Sequence, residues 1–357
     1  MYRFFTSRDI HPTGWLKQQL EIEARGLAGH LDTMWPDVRD SAWIGAASGI
    51  PEPVIREKFG IRQVHKAGPE ETVSSMGAEA ARRCLGDFDP RDLDLVVYCG
   101  SEYKDYYLFN CAARVQYEIG AVNAAVFEIH NLCSAGVWSL KVLKSMMLQD
   151  PELKHVLLVS SSKEGDLINY RDSDSRFMFN FGDGAAAALL ERDLDENVIL
   201  ESAMIADGQF AADVSVPGIG CRNFEGFRNM PWEDHFLRVL DVANMKERLD
   251  PITLGNFVSV IAKAADRSGF GRAHIDYLAP IFMKKSILLH LLDQFGLAEE
   301  NTFVLEEYGH CQSADCFISL LEGARCGKLK AGDRAVLVSA GTGYTWAATG
   351  VQWGPVK

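Results

Sequence analysis

The segment AAVFEIHNLCSAGVWSLKVLKS, residues 124–145, holds the pattern that decides the fold of this chain. Its first residues form a short apolar run, AAVFEI, which predicts a buried strand, and its last residues repeat apolar side chains at helical spacing. A tight turn joins the two, and Cys133 lies at that turn. The segment therefore predicts a strand–turn–helix unit with a cysteine displayed at the junction.

The same unit occurs a second time near the carboxyl end of the chain. The segment EEYGHCQSADCFISLLEGA, residues 306–324, also predicts strand, turn and helix, and His310 lies at its turn. Each unit is followed by an apolar strand, HVLLVSSS at 155–162 and RAVLVSAG at 334–341. A weak sequence repeat of this kind indicates two duplicated halves. We expect the two turns to meet at a shared centre, where Cys133 faces His310.

Apolar strands alternate with helical patterns along most of the chain. The runs LDLVVYCG, IDYLAP and TFVLEEYG predict strands, and the runs ETVSSMGAEAARRCL and SILLHLLDQFG predict helices. Strands that are apolar throughout and alternate with helices are typical of an α/β protein with mainly parallel strands. The predicted units are an atypical N-terminal segment at 1–47, a first half with Cys133 at 48–206, and a connecting segment plus second half at 207–357.

Composition and charge argue against several classes of function. The 357 residues, 47% of them hydrophobic, are enough for a large core. A net charge of −13 lacks the basic footprint of a nucleic-acid-binding protein. No apolar stretch is long enough to span a bilayer, and the N-terminus lacks the apolar core of a signal peptide. The eight cysteines show neither CxxC nor zinc-finger spacing, so we expect reduced thiols, no metal site and a cytoplasmic location.

Cys133 and His310 are the candidate catalytic residues. The N-terminus of the helix after Cys133 carries partial positive charge and free N–H groups, which stabilise a thiolate and an oxyanion. A histidine at the opposite turn is able to accept the thiol proton or to donate to a thioester carbonyl. The alternative for the cysteine is an inert core position, which is the common state of a free thiol.

Two glycine-rich turns are the other candidate elements. GDGAAAALL at 182–190 fits neither a dinucleotide fingerprint nor a P-loop, and a turn that enters a strand is the plain interpretation. SAGTGYTW at 339–346 joins two apolar strands. Its backbone N–H groups are candidates for completing an oxyanion hole, and a turn of packing glycines is the alternative.

An ordered set of motifs resembles one known family. From about residue 48 to 353 the chain is similar to the ketoacyl synthase III branch of the thiolase superfamily, and the matching stretches are IPEPVIREKFGIRQ, NLCSAG, FNFGDGAAAALLER, YGHCQSAD and LKAGDRAVLVSAGTGYTWAATGVQW. The resemblance implies an α/β thiolase-like fold of two βαβαβαββ halves in five layers, and a homodimer. It also implies acyl transfer from coenzyme A or acyl carrier protein to a cysteine, followed by Claisen condensation with a malonyl thioester, with no resident cofactor.

The resemblance assigns roles to individual residues. Cys133 takes the place of the family's nucleophile. Ile281 occupies the position of the family's histidine, and His310 that of its asparagine, so the family's Cys-His-Asn set becomes Cys133, Ile281 and His310. A Cys133–His310 pair is expected to support acylation of the thiol. Either transfer to another nucleophile or condensation with altered geometry then follows.

Further predicted contacts come from the same resemblance. Thr342 stands where the family commonly has glycine, and the backbone N–H groups of Cys133, Thr342 and Gly343 form the predicted oxyanion hole. Lys58 and Arg62 are predicted to contact the phosphates of coenzyme A or of phosphopantetheine, with solvated surface charge as the alternative for each.

The N-terminus departs from the family. The family's opening strand has no counterpart in the sequence, and residues 11–45 instead resemble the start of β-L-arabinofuranosidase-type glycoside hydrolases. That stretch includes none of a hydrolase's catalytic core, so it does not by itself imply sugar hydrolysis. A missing core strand would expose backbone groups and apolar surface, so we expect another element to fill its place.

Three hypotheses follow from the sequence. The first is an acyl-thioester transferase or condensing enzyme that uses Cys133 and His310. The second, motivated by Ile281, is a non-catalytic partner subunit of a heteromeric ketosynthase-like enzyme. The third, a carbohydrate-active enzyme, rests on residues 11–45 alone. The distance between the Cys133 sulfur and the His310 imidazole is the observation that bears most directly on the first hypothesis.

Overall fold

The strands form two large sheets and two short pairs. The computed structural model describes residues 37–223 and 229–355. In chain order the strands are β1 (Asp37–Asp40), β2 (Gln63–Lys66), β3 (Leu95–Gly100), β4 (Ala125–His130), β5 (His155–Ser162), β6 (Gly184–Glu191), β7 (Glu196–Ala206), β8 (Val214–Ser215), β9 (Arg238–Val239), β10 (Tyr277–Pro280), β11 (Arg334–Gly341) and β12 (Thr345–Pro355). Strand β1 pairs with β2, and β8 with β9, both antiparallel.

The longer helices connect these strands. Within the described residues they are α1 (Ser41–Ser48), α2 (Val73–Leu85), α3 (Cys111–Ile119), α4 (Ala135–Gln149), α5 (Asp250–Arg267), α6 (Lys285–Asp293) and α7 (Asp315–Arg325). Helix α2 begins with a capping box, in which the side chains of Thr72 and Ser75 each bind the other's backbone N–H. Helices α1 and α3 end at glycines in the left-handed conformation, Gly49 and Gly120, which satisfies a common requirement of helix termination.

The two large sheets share a three-strand unit, β3-β5-β6 in the first and β10-β11-β12 in the second, in which a parallel pair is followed by an antiparallel pair. The first has the order β4-β3-β5-β6 and the second β10-β11-β12-β7. Strand β3 is parallel to β4 and β5, and β10 is parallel to β11, whereas β6 and β12 run antiparallel to the strands that precede them. The prediction of mainly parallel strands is therefore wrong for β6 and β12, which run antiparallel to β5 and β11, and for β7, which runs antiparallel to β12. The turn at 342–344 is short enough to return the chain directly beside β11.

Five layers result from the way these sheets are covered. Side chains of α4 and α7 share one core with the inner faces of both sheets, so the two helices lie between the sheets. Helices α2 and α3 cover the outer face of the first sheet, and α5 and α6 that of the second. In β3, Val97 belongs to the central core and Val96 to the outer one, which explains why the strand is apolar throughout. The predicted five-layer thiolase-like architecture is confirmed.

The two central helices each follow a tight turn of the same shape. Leu132 and Gln312 both have positive φ, 50° and 54°, and each begins a one-turn 3-10 helix that leads into α4 or α7. The structural counterpart of Cys133 is consequently Ser313, and that of His310 is His130. The internal repeat therefore identified the correct pair of turns but not the correct residue correspondence within them.

Direct contacts join these turns at the centre of the molecule. The Ser313 hydroxyl donates to the carbonyl of Leu132 at 2.7 Å. A Cβ atom at Gly136, near the start of α4, would lie 2.4 Å from the carbonyl oxygen of Ser313. Only glycine permits this approach, so the sequence SAG after the cysteine is a packing requirement of the duplicated fold.

The structure differs from the sequence-based expectations at the segment TFVLEEYG and at the free edge of the first sheet. The predicted strand TFVLEEYG, residues 302–309, forms irregular backbone with a turn at 306–308, and it is followed by one isolated bridge between Phe181 and His310. In the second sheet β7 flanks β12, but no strand of the described residues flanks β6 in the first sheet. Most of the N-terminal stretch that resembles a glycoside hydrolase lies outside the described residues. None of the helices in the described part of the chain has the length and apolar character needed to cross a membrane.

Candidate functional site

Cys133 and His310 meet in the buried centre between the two halves. The Cys133 side chain sits in the 3-10 turn before α4 and is 6% exposed, and His310 is 4% exposed. The His310 Nε2 lies 3.2 Å from the Cys133 Sγ. This separation is within hydrogen-bonding range for a sulfur atom, so the imidazole is placed to take the proton of the thiol.

Asp315 completes a line of three polar side chains. Its Oδ2 lies 2.6 Å from the His310 Nδ1, and the carboxylate is fully buried. The same carboxylate accepts backbone N–H bonds from Phe282 at 2.8 Å and Cys311 at 2.7 Å. These bonds fix the carboxylate, which in turn fixes the ring orientation and holds the Nδ1 proton, so that Nε2 faces the sulfur.

The electrostatics of this line favour a charged imidazole. Burial by itself lowers the pKa of His310, but the Asp315 carboxylate and the Cys133 sulfur favour the imidazolium more strongly. The pKa of His310 therefore lies well above its ordinary value. An imidazole of raised basicity beside a thiol is suited to generate a thiolate and to carry the proton that the thiol loses.

No pattern in the sequence singles out Asp315 as a site residue. The available signal was an acidic residue five positions after the candidate histidine, in the first turn of a predicted helix. Acidic residues are common at that position because they interact favourably with the helix dipole, so the signal by itself does not distinguish a catalytic carboxylate from a helix-stabilising one. Burial and the contact with His310 distinguish the two.

An apolar wall surrounds the thiol. Ile281 is 8% exposed and belongs to the same buried apolar cluster as Cys133. The ring of Tyr344 lies edge-on to that of Phe210, with centroids 6.1 Å apart, and 5.8 Å from that of Trp346. Position 281 thus contributes an apolar side chain to the buried cluster that contains the thiol.

The predicted oxyanion groups lie on the glycine turn that packs against the cysteine turn. The Ser339 hydroxyl donates to the carbonyl of Cys133 at 2.6 Å, and a Cβ atom at Gly341 would lie 2.6 Å from the carbonyl oxygen of Asn131. Within the described residues, the backbone N–H groups of Cys133, Thr342 and Gly343 donate to no backbone acceptor. Free N–H groups next to a nucleophile are the feature that an oxyanion hole requires.

The predicted anion contacts lie on exposed surface. Lys58 is exposed in the turn Ile55–Phe59, and Arg62 follows it. The Arg62 guanidinium is 3.0 Å from the carboxylate of Glu306, so a phosphate would have to compete with that ion pair. No hydrogen bond or ion pair of the described residues joins Lys58 or Arg62 to the cysteine–histidine pair. Both residues remain predictions.

A buried carboxyl supports the turn that follows His310. Glu164 accepts hydrogen bonds from the hydroxyls of Ser101 and Ser162, and the Gln312 amide donates to it at 2.5 Å. Burial raises the pKa of Glu164 to about 7, against the opposing effect of the serine hydrogen bonds. Gln312, which has positive φ, lies between His310 and Asp315. By binding Gln312, the Glu164 carboxyl helps to position both of these residues.

The GDG motif has a structural role. The Asp183 carboxylate is 1% exposed and accepts from the backbone N–H groups of Ala67 at 2.8 Å and Gly165 at 3.0 Å. It also pairs with the Lys66 ammonium at 2.8 Å. The plain interpretation of this glycine turn, as a packing element at the entry of β6, agrees with these contacts.

Comparisons with known proteins agree with this fold. The family model "3-Oxoacyl-[acyl-carrier-protein (ACP)] synthase III" matches residues 127–208, and the model of its C-terminal part matches residues 265–353. These two ranges contain Cys133 and the His310–Asp315 segment. The matched ranges therefore include both turns that form the site.

Relatives and solved structures of the same kind cover nearly the whole described chain. The beta-ketoacyl-[acyl-carrier-protein] synthase III of Desulfotalea psychrophila is 27% identical over 84% of this chain and 90% of its own length. That of Clostridium acetobutylicum is 27% identical over 87% and 98%. The structure of the Thermus thermophilus enzyme superposes with a TM-score of 0.77 at 21% identity, over 90% of this chain and 96% of that one. The chain is a ketoacyl synthase III-like enzyme of the acyltransferase class, built on the thiolase-like fold.

Proposed function

We propose that this enzyme forms an acyl thioester on Cys133, taken from acyl-coenzyme A or acyl carrier protein, and passes the acyl group to a malonyl-type or other nucleophile. The observation that carries the proposal is the hydrogen-bonded line of Cys133, His310 and Asp315, with 3.2 Å between sulfur and imidazole and 2.6 Å between imidazole and carboxylate. A thiol, a base and a group that orients the base are the parts that covalent acyl transfer needs.

Each residue has a defined task in the acylation step. His310 Nε2 takes the thiol proton as the sulfur attacks the thioester carbonyl, and the carbonyl oxygen becomes negatively charged. The N–H groups of Cys133, Thr342 and Gly343 are the proposed donors that stabilise that charge. The tetrahedral intermediate then collapses, and the His310 proton passes to the departing thiolate of the carrier. Acyl–Cys133 and the free carrier thiol are the products.

The carrier belongs to the proposal as well. The names of the curated relatives state that those proteins act with acyl carrier protein. Coenzyme A and acyl carrier protein present the same phosphopantetheine thioester, which brings a phosphate near the site entrance. Lys58 is an exposed cation of the described chain that is suited to meet such a phosphate, and Arg62 is a second one if it leaves Glu306.

Mixing the enzyme with octanoyl-coenzyme A and recording its intact mass tests the acylation step. We expect the wild-type protein to gain one octanoyl group and Cys133→Ala to gain none. Cys326→Ala, which removes an exposed thiol, serves as the matched control and is expected to acylate like the wild type. An adduct of equal amount on Cys133→Ala, or no adduct on the wild type, would exclude Cys133 as the acyl carrier.

A homodimer in the cytoplasm is the second part of the proposal. Strand β4 pairs with β3 on one side, and no strand of the described residues pairs with its other side, where Ala125 and His130 are exposed. An open strand edge at the rim of a sheet is suited to pair with the same edge of a second copy. All eight cysteines are free, as expected in a reducing compartment. We expect the mass of two chains in analytical ultracentrifugation at micromolar concentration; a single-chain mass would contradict the dimer.

The partner-subunit hypothesis receives less support. A chain that only assembles with an active partner has no need to keep a nucleophile, its base and the carboxylate that orients the base in one buried line. The arrangement of Cys133, His310 and Asp315 therefore favours an active subunit. The same octanoylation experiment, carried out on the purified chain alone, separates the two hypotheses.

A further inference from the structure

The polar groups beside Cys133 limit what can accept its acyl group. Building on the acyl–Cys133 intermediate of the proposed function, we infer that the acceptor is a neutral hydroxyl or amine, so that the enzyme makes an ester or an amide. The carbon of a malonyl thioester is the acceptor that this arrangement disfavours. The inference depends on two features of the site, the scarcity of hydrogen-bond donors and the presence of an oriented base.

Decarboxylative condensation makes a specific demand on a site. When a malonyl thioester loses carbon dioxide, the electrons of the broken C–C bond move toward its thioester carbonyl, whose oxygen becomes negatively charged. In a buried apolar site such a charge is strongly disfavoured unless hydrogen-bond donors are directed at it. No proton is removed in this step, so a general base makes no contribution to it.

The donors around position 281 already have acceptors among the described residues. The backbone N–H of Ile281 donates to the carbonyl of Val338 at 2.8 Å, and the Ile281 side chain has nothing to donate. The backbone N–H of Phe282 donates to Asp315 at 2.8 Å. The Asn180 amide nitrogen is directed at the carbonyl of Phe282, at 3.4 Å. Among the described contacts of the thiol, His310 alone offers a side-chain hydrogen-bonding group.

His310, the one side-chain hydrogen-bonding group described beside the thiol, serves as a base and not as a fixed hydrogen-bond donor. His310 Nδ1 is committed to Asp315, and the carboxylate raises the basicity of the opposite nitrogen, Nε2. Acylation converts the Cys133 sulfur into an uncharged thioester, so one of the two groups that favour the imidazolium is lost. Once the carrier thiol has left with the proton, the His310 Nε2 that faces the acyl thioester carries no hydrogen. It is then placed to accept a proton from an incoming O–H or N–H group, which is the step that activates a heteroatom nucleophile.

Transfer of the acyl group from Cys133 to the acceptor needs no further reactant, because every bond and proton is accounted for. The acceptor oxygen or nitrogen attacks the carbonyl carbon of acyl–Cys133 as its proton moves to His310 Nε2. The tetrahedral intermediate collapses with cleavage of the C–S bond, and the proton on His310 returns to the Cys133 thiolate. The free enzyme is regenerated, and the product is an ester or an amide. The apolar wall formed by Ile281, Phe210 and Trp346 limits the access of water, which would otherwise compete.

The test uses the octanoyl-enzyme separated from excess octanoyl-coenzyme A by gel filtration. Portions are kept in buffer, or mixed with propanol, with propylamine, or with malonyl-coenzyme A that carries carbon-14 in its free carboxyl group. Intact mass gives the lifetime of the octanoyl-enzyme, mass spectrometry of the filtrate identifies products, and trapped radioactivity measures decarboxylation. Octanoyl-coenzyme A mixed with each nucleophile and the Cys133→Ala protein gives the uncatalysed background.

We expect propanol or propylamine to shorten the lifetime by about tenfold or more, with propyl octanoate or N-propyloctanamide as product. Malonyl-coenzyme A is expected to leave the lifetime unchanged and to release no radioactive carbon dioxide. Release of carbon dioxide with formation of 3-oxodecanoyl-coenzyme A would overturn the inference, and so would a lifetime that neither propanol nor propylamine shortens. Failure of the proposed function is distinct, since no octanoyl-enzyme would form at all.

Discussion

Replacement of His310 by asparagine is expected to slow the octanoylation of Cys133 by on the order of 10³-fold or more. The substitution keeps a hydrogen-bonding side chain of similar length but removes the only imidazole within reach of the thiol in the described structure, 3.2 Å away. Without it, the thiol proton has no acceptor and the departing carrier thiolate has no proton donor. Rapid-quench mixing followed by intact-mass analysis measures the rate.

Folding has to be checked in the His310→Asn protein, because the change leaves the buried Asp315 carboxylate with two backbone partners and no cation. Circular dichroism and a thermal unfolding curve show whether the fold is retained. His290→Asn, on the exposed side of α6, is the matched control and is expected to react at the wild-type rate. Wild-type acylation rates in a folded His310→Asn protein would show that another group serves as the base.

Replacement of Asp315 by asparagine is expected to reduce the acylation rate by about 10²–10⁴-fold while the shape of the site is retained. The amide is able to donate its own proton to His310 Nδ1, and it then stabilises the tautomer whose Nε2 carries the hydrogen. That tautomer cannot accept the thiol proton. The loss of the negative charge also removes the main influence that holds the pKa of His310 above its ordinary value.

The pH profile distinguishes this orienting role from a general loss of stability. Asp315 favours the charged imidazolium, so its removal lowers the pKa of His310. Any limb of the rate profile that reports the ionisation of His310 is therefore expected to move to lower pH in Asp315→Asn. Asp293→Asn, an exposed carboxylate at the end of α6, should leave both rate and profile unchanged. A reduced rate with an unshifted profile would contradict the assigned role.

Local patterns predicted much of this fold. The alternation of apolar strands with helices, and the turn between AAVFEI and the helix that follows, appear in the structure as β4 and α4 with Cys133 at the start of the helix. The repeat predicted the central pair of helices correctly, because each half has to bury the same kind of face. The segment TFVLEEYG was mispredicted as a strand, since a short apolar run fits a strand and irregular buried backbone equally well.

The candidate site was only partly predictable. Cys133 and His310 followed from their positions at matching turns, and the structure brings them together. Asp315 did not follow, because an acidic residue at a helix start has an ordinary local explanation. The support that Glu164 gives to Gln312 was also hidden, since the two residues are 148 positions apart in the chain and no local pattern connects them.

The sequence by itself determined the nucleophile's place at a strand–helix junction, the duplicated halves, and the absence of an imidazole at position 281. These are properties of single residues and of short-range periodicity. The tertiary structure alone decided that the His310 imidazole lies 3.2 Å from a thiol 177 positions away and that the Asp315 carboxylate binds its other nitrogen. The physical reason is that the packing of two separate turns sets the distances between Cys133, His310 and Asp315. Burial also strengthens the electrostatic effect of the Asp315 carboxylate on the pKa of His310.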